Sequence, residues 1–195
     1  MLPSDGRFSS GFFTRGALAI APDLLGCALV RRLDDGTVLF GTITETEAYL
    51  PDDPACHACR GPTARNASMF LAGGHAYVYF IYGMHFCVNV VTGPAGQGEA
   101  VLLRAVRDVG CSGHFVGLPR LPIPDTQTTG PGRLCRVFAI DRALDGADLT
   151  DPAGPLYLLP RTGPAPAFST TPRVGIRKNA DVPWRFVVLS SPPPR

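Results

Sequence analysis

The sequence predicts an α+β fold: a single domain on a mixed, mainly antiparallel sheet, with short helices at its periphery. Two observations predict it. With 22 Gly and 20 Pro in 195 residues, about a fifth of the chain is turn chemistry, which favours short strands and loops over long helices. The apolar residues, 45% of the chain, come in short runs bounded by turn signals, as strands do. This length fits one domain, here 1–195 with its core at about 12–188, and can bury a real core.

Residues 16–25 read as a short helix limited by Pro22. Residues 27–33 and 37–49 read as two strands joined at Asp34-Asp35-Gly36, a strong hairpin signal. Residues 51–66 form a loop rich in Pro, Cys and Gly. Residues 77–82 and 86–91 are strands, with Gly83 allowing a sharp change of direction. A turn over 93–98 leads to a strand over 100–106. Residues 110–132 are expected to be a long loop with four prolines. Pro131 sits where a helix can begin, and 133–140 has a helical apolar pattern. Strands at 156–159, 173–176 and 184–189 complete the sheet, and 191–195 reads as a frayed tail.

Net charge is only +2, so whole-molecule charge does not select a nucleic-acid partner. The 18 basic residues include one lysine, Lys178. Guanidinium suits two-pronged contacts to phosphate and stacking on rings; a codon bias towards Arg gives the same composition. Six cysteines without a framework pattern, two of them (Cys27 and Cys87) inside apolar runs, and an N-terminus without an apolar signal core point to a reduced, cytoplasmic protein. The longest apolar run, 76–91, is broken by His85 and Asn89 and is too short for a membrane span. The chain has neither a Gly-x-Gly-x-x-Gly helix start nor a Gly-Lys-Ser/Thr phosphate loop, so no nucleotide cofactor is expected.

The chemistry concentrates in one region. Residues 54–98 contain no Asp or Glu but hold Arg60, Arg65, His57, three tyrosines, Met84, His85 and Asn89. Just before them runs Glu45-Thr46-Glu47-Ala48-Tyr49. Two of the chain's three glutamates stand here, and alternation puts Glu45, Glu47 and Tyr49 on one face of a regular strand. Paired carboxylates serve glycosidic cleavage, because one can activate water while charge builds on the sugar. A carboxylate facing a basic, aromatic surface suits an enzyme acting on a nucleobase. A solvated strand face beside ordinary core tyrosines satisfies the same pattern. Arg104, at the end of an apolar strand, is either an edge residue in water or a buried carboxylate partner. Cys56-His57-Ala58-Cys59 has the spacing of a metal chelate, but no second Cys-x-x-Cys exists, and no metal is expected.

Taken together, Glu45-Thr46-Glu47-Ala48-Tyr49, His57, Arg65-Asn66, Tyr77-Val78-Tyr79-Phe80-Ile81-Tyr82-Gly83-Met84, Asn89 and Leu102-Leu103-Arg104 resemble the alkyladenine (3-methyladenine) DNA glycosylase family. Gly130-Pro131-Gly132-Arg133 and Arg173-Val174-Gly175-Ile176 extend the resemblance. It implies a curved antiparallel sheet with a protruding DNA-binding hairpin. It also implies base-excision repair of duplex DNA carrying alkylated or deaminated purines, of the 3-methyladenine, hypoxanthine and ethenoadenine class.

By matching positions, the resemblance makes Glu47 the general base and Arg104 its partner in holding water. Tyr49, His57, Tyr79 and Asn89 form the base pocket, and Tyr82 and Met84 the intercalating tip. Without a cofactor and with Lys178 the only lysine, a hydrolytic, monofunctional enzyme is expected, acting as a monomer. Residues 110–129 depart from the family's pattern. They leave open an alternative, a non-catalytic nucleic-acid-binding domain of the same fold.

Overall fold

A computed structural model describes residues 6–9, 11–112 and 123–189. Its spine is one long bent strand. Strand β1 (Ala28–Arg32) pairs antiparallel with the first half of β2 (Val38–Tyr49), with Ala28 opposite Thr42. The expected hairpin turn is present. Gly36 takes the left-handed φ of 83° that its lack of a Cβ permits, and Asp35 Oδ1 accepts the Thr37 N–H at 2.8 Å.

The other edge of β2 pairs along its length with β5 (Glu99–Ser112). Where β1 ends, β8 (Arg185–Val188) takes over, meeting β2 from Glu45 to Glu47. The β2–β5 register slips between Phe40 and Thr42 and on both sides of Glu45. Such bulges bend a strand and increase its twist, and here they curl the sheet around the two glutamates.

Beyond β5 lies the hairpin of β3 (Ala76–Ile81) and β4 (His85–Thr92), giving the order β3-β4-β5-β2-β1-β6, with β6 at Leu156–Leu159. Strand β7 (Phe168–Thr171) pairs with β8. All pairings are antiparallel. Helix α1 (Ala17–Asp23) carries Pro22 in its last turn and packs on β2 and β5. Helix α2 (Pro131–Val137) starts with Pro131 as expected and packs on β4 and β5. Ile20, Leu24, Ile43, Leu103, Leu134 and Phe138 are fully buried between these layers, each contributing about 1.5–3 kcal/mol. No helix among the described residues is long and apolar enough to cross a membrane.

Three expectations need correction. Residues 173–176 are not a strand. Pro172 has no N–H to pair and Gly175 sits at φ 78°, so the sheet uses β7, five residues earlier, and 173–176 become a loop under the site. The strand expected at 100–106 runs on through Ser112, which takes 110–112 out of the expected long loop. Gly110 allows this, because a Cβ there would lie 2.4 Å from the Phe40 ring. The helix expected to reach Ile140 stops at Val137. Ala139 turns left-handed at φ 47°, and the N–H groups of Ile140 and Ala139 return to the carbonyls of Cys135 and Arg136. That is a Schellman ending made without glycine. The rest of the expected loop, 113–122, and the expected tail, 191–195, lie outside the described residues.

Candidate active site

The curl of β2 sets the floor of the site. Glu45, Glu47 and Tyr49 share one face, while Thr46 on the other donates to the Ala21 carbonyl of α1. Both carboxylates are buried, Glu47 completely and Glu45 to 6% exposure, which removes the solvated-face reading. A buried charge must be paired and hydrogen-bonded, and these are. Arg104 of β5 donates Nε–H to Glu45 Oε1 at 2.8 Å and stands 3.5 Å from Glu47 Oε1. Arg185 of β8 reaches Glu45 Oε1 at 2.6 Å. Of the two sequence readings of Arg104, the buried carboxylate partner is the one realised. Burial works against its charge, but the nearby Glu47 and Glu45 carboxylates more than compensate and raise its pKa.

Two further donors hold the oxygens of Glu47. The Tyr49 hydroxyl donates to Oε2 at 2.9 Å, and the Val174 backbone N–H donates to Oε1 at 2.8 Å. Burial first, then the Glu47 charge, push the Tyr49 pKa far up, so its phenol stays protonated and donates. The 173–176 loop is therefore not a sheet strand but the element that delivers a backbone donor to this carboxylate.

Above this floor lies a cavity of about 660 Å³, within the size range of small-ligand sites. Its lining includes Tyr49, His57, Tyr79, Tyr82, Asn89 and Arg104, so six of the eight residues singled out in the sequence meet there. Glu47 lies one layer below, behind Tyr49, Arg104 and Val174, which do line it. Met84 stands apart on the hairpin tip.

The walls are fixed by identifiable contacts. Asn66, itself buried, pins the loop that carries His57. Its Nδ2 donates to the carbonyls of His57 and Gly61, and its Oδ1 accepts the Thr63 N–H. The His57 Nδ1 and the Tyr77 hydroxyl share a hydrogen bond of 2.8 Å, and the imidazole stands edge-on to the Tyr79 ring at 4.5 Å. Burial, then the charge of Arg65, lower the His57 pKa, so the ring is neutral at pH 7. Asn89 is held by its Nδ2 on the Tyr77 carbonyl at 2.9 Å. The start of α2 closes one side. A Cβ on Gly132 would meet the His85 ring at 2.9 Å, so glycine lets the helix seat against the hairpin.

The hairpin tip is a tight turn in which the Met84 N–H returns to the Ile81 carbonyl, with Tyr82 at φ 53° and Gly83 at φ 69°. This is the type I′ pattern of short hairpins. An aromatic residue in that conformation costs on the order of 1 kcal/mol. It leaves Tyr82 77% and Met84 70% exposed. The outer edge of β3 is braced: Arg65 donates to the Phe80 carbonyl and Arg142 to the Val78 carbonyl, each at 3.0 Å.

Sequence reasoning missed two contributors. The Val174 N–H was invisible because a backbone donor leaves no residue-type signal. Arg173, buried against the Tyr49 ring, falls in a segment whose local pattern predicts a strand. The Cys56–Cys59 pair does not form a chelate. Cys56 is buried with its thiol pushed up to about 12, chiefly by burial, while Cys59 is exposed. Among the described residues no three His, Cys, Asp or Glu side chains converge as a metal site requires.

The site is thus a partnered carboxylate–guanidinium floor under an aromatic cavity, beside an exposed aromatic tip. Sequence comparison supplies its class. The profile of the family described as "Methylpurine-DNA glycosylase (MPG)" matches residues 11–192. A protein of Herpetosiphon aurantiacus is 44% identical over 191 residues, covering 94% of this chain and 86% of its own. One of Carboxydothermus hydrogenoformans is 45% identical over 182 residues, covering 92% and 94%. Each bears the name "Putative 3-methyladenine DNA glycosylase". The chain belongs to the methylpurine-DNA glycosylase family. It is thus a DNA glycosylase, a hydrolase acting on N-glycosyl bonds.

Proposed function

We propose that the protein turns an alkylated or deaminated purine, of the 3-methyladenine, hypoxanthine and ethenoadenine class, out of duplex DNA into the cavity. It then hydrolyses the N-glycosidic bond and leaves an abasic site. The observation that carries this reading is the convergence on Glu47: a buried carboxylate held by Arg104, the Tyr49 hydroxyl and the Val174 N–H, directly under an aromatic cavity.

Eversion costs a few kcal/mol, less for a damaged pair. Each base–aromatic stack returns about 1–3 kcal/mol. Tyr49 and Tyr79 in the pocket, with Tyr82 filling the vacated place in the helix, offset that cost, and Met84 lies beside it. Asn89 stands where an added exocyclic group on the base would clash. Alkylation on a ring nitrogen makes the base both electron-poor and a better leaving group. As the bond breaks, the sugar gains cationic character, which the Glu47 carboxylate steadies. Water admitted between Tyr49 and Arg104 gives its proton to Glu47 and its oxygen to C1′. Lys178 is exposed and is not among the residues lining the cavity, which supports hydrolysis without a Schiff base. The names of the relatives favour 3-methyladenine among the lesions.

The test is a panel of duplexes carrying 3-methyladenine, hypoxanthine or ethenoadenine, scored by alkali cleavage. The wild type cleaves at one or more of these lesions and spares undamaged DNA, and Glu47→Gln cleaves none. Equal cleavage by both proteins removes Glu47 from the reaction. A covalent adduct trapped by borohydride removes the hydrolytic assignment.

A further inference from the structure

The proposed reaction makes no use of Arg173 or Asp53, yet the two form an ion pair in which neither side chain has any exposed surface. Such a pair is weak evidence for stability, because apolar residues of similar volume in its place are often neutral or stabilising. This one carries a further cost, since Arg173 Nε is buried and has no hydrogen-bond partner among the described residues. What the pair does is join segments far apart in the chain. Arg173 Nη1 also donates to the carbonyl of Ala48, between Glu47 and Tyr49 on β2, at 3.0 Å, and Nη2 reaches the Asn179 carbonyl at 3.5 Å. Asp53 Oδ1 accepts the Ala55 N–H at 3.1 Å and the Asn179 side-chain amide at 3.2 Å. Ala55 and His57 line the cavity. Val174, next to Arg173 in the chain, donates its N–H to Glu47 Oε1 at 2.8 Å. The pair therefore stands between the wall of the cavity and the backbone donor beneath it.

We propose that Arg173 and Asp53 are positioning residues: a buried link that fixes the Val174 N–H on Glu47 and the Ala55–His57 wall in one common geometry. The inference rests on the reading of the cavity as a base pocket with Glu47 as its general base. A guanidinium suits the task, because its rigid fork of donors meets Asp53, the Ala48 carbonyl and the Asn179 carbonyl at once. An apolar side chain could fill the same volume but would leave the 173–176 loop free to slide along β2. Such a slide takes the Val174 donor off Glu47. Release of Asp53 likewise frees the wall against which a base would be seated. A misplacement of about 1 Å at a reacting centre costs on the order of a hundredfold in rate. Binding to DNA draws also on Tyr82 and Met84 at the hairpin tip, which the link does not touch.

The experiment uses the lesion of the panel that the wild type releases fastest. It measures the Kd for that duplex, the single-turnover rate of base release, and the melting midpoint of the protein. The double variant Arg173→Met with Asp53→Asn removes both charges at nearly constant volume. It should melt cooperatively above the assay temperature and bind within about threefold of wild type, and its release should slow by about a hundredfold. Asn179→Gly is the gentler cut. Asn179 is exposed, and its φ of 51° suits glycine, so the fold is kept while Asp53 loses one clamp. Its release should slow by about threefold at unchanged Kd. The double variant decides the matter if it melts cooperatively, and Asn179→Gly decides it otherwise. In the deciding variant, release at the wild-type rate, or binding that weakens in step with release, overturns the proposal and leaves the pair purely structural. A wild type that releases no base from any lesion of the panel instead overturns the base-pocket reading, and this inference with it.

Discussion

Glu47 and Tyr82 serve one site but are held in opposite ways. Glu47 has no exposed surface, and both of its oxygens are occupied by donors from β2, β5 and the 173–176 loop. Tyr82 is 77% exposed, on a left-handed backbone at the end of a two-stranded hairpin. The difference matches the roles proposed for the two groups, a buried catalytic charge and a wedge in the base stack. A charge placed out of water is tolerated only where its partners are fixed in advance, so the floor is built from three strands and a loop that cannot move independently. An aromatic ring that fills a gap in a base stack gains its contact area from the DNA, so in the free protein it must stay uncovered. Changes to the floor should therefore damage stability and activity together, whereas changes at the tip should damage activity alone.

The largest effect that sharpens this contrast is expected at Glu45. Glu45→Ala leaves Arg104 and Arg185 facing one another without their shared acceptor, and breaking such a pair costs about 3 kcal/mol. Chemical denaturation should show that loss, and base release should fall in parallel as Arg104 is freed. Unchanged stability would mean that the two guanidinia are hydrated and that the floor is less rigid than its contacts imply.

Tyr82→Ser should come next, and on activity alone. Loss of one base stack, about 1–3 kcal/mol, lowers release from duplex DNA by roughly tenfold or more. The melting midpoint should barely move, since an exposed side chain carries little folding energy. A drop in stability comparable with that of Glu45→Ala would erase the distinction between the two regions. Met84→Ala, at the same tip but without a ring, should reduce release about two- to threefold.

The smallest effect concerns the third glutamate. Glu99 is as buried as Glu45, but among the described residues no guanidinium pairs with it, and its Oε1 has no hydrogen-bond partner. Burial raises its pKa, with the Ala17 N–H opposing. A carboxyl whose pKa is raised on folding stabilises the fold below its ordinary range, and that contribution fades as pH rises through the raised value. Glu99→Gln should therefore gain stability relative to the wild type between pH 4 and pH 8, in melting curves recorded across about that range. A gain that shrinks with rising pH would contradict the sign.

Much of this was legible in the chain. Asp34-Asp35-Gly36 marks a hairpin because glycine alone accepts its φ cheaply, and Gly83 marks the tip for the same reason. Tyr79, Asn89 and Arg104 reach the cavity because strand alternation is a local property. What was illegible depends on contacts between distant segments. The bulges around Glu45 follow from pairing β2 with two partners on one edge, a choice made by β8 some 140 residues away. At 173–176 Pro172 and Gly175 already argue locally against a strand, but the course of the loop under the site is set by Arg173, drawn inward to Asp53 and Tyr49. The end of α2 at Ala139 lacks the glycine that usually announces such a turn. Arg104 was ambiguous because an arginine after an apolar run has the same spacing whether it meets water or Glu45.

The account depends on Glu47 doing the chemistry from beneath the cavity while the tyrosines do the binding. The most direct measurement separates those two steps on one duplex that carries a single hypoxanthine. Glu47→Gln should bind that duplex within about threefold of wild type, because glutamine still accepts the Val174 N–H, and should release base at least about a thousandfold more slowly. Release at the wild-type rate, or a loss of binding that alone accounts for the slower release, would contradict it.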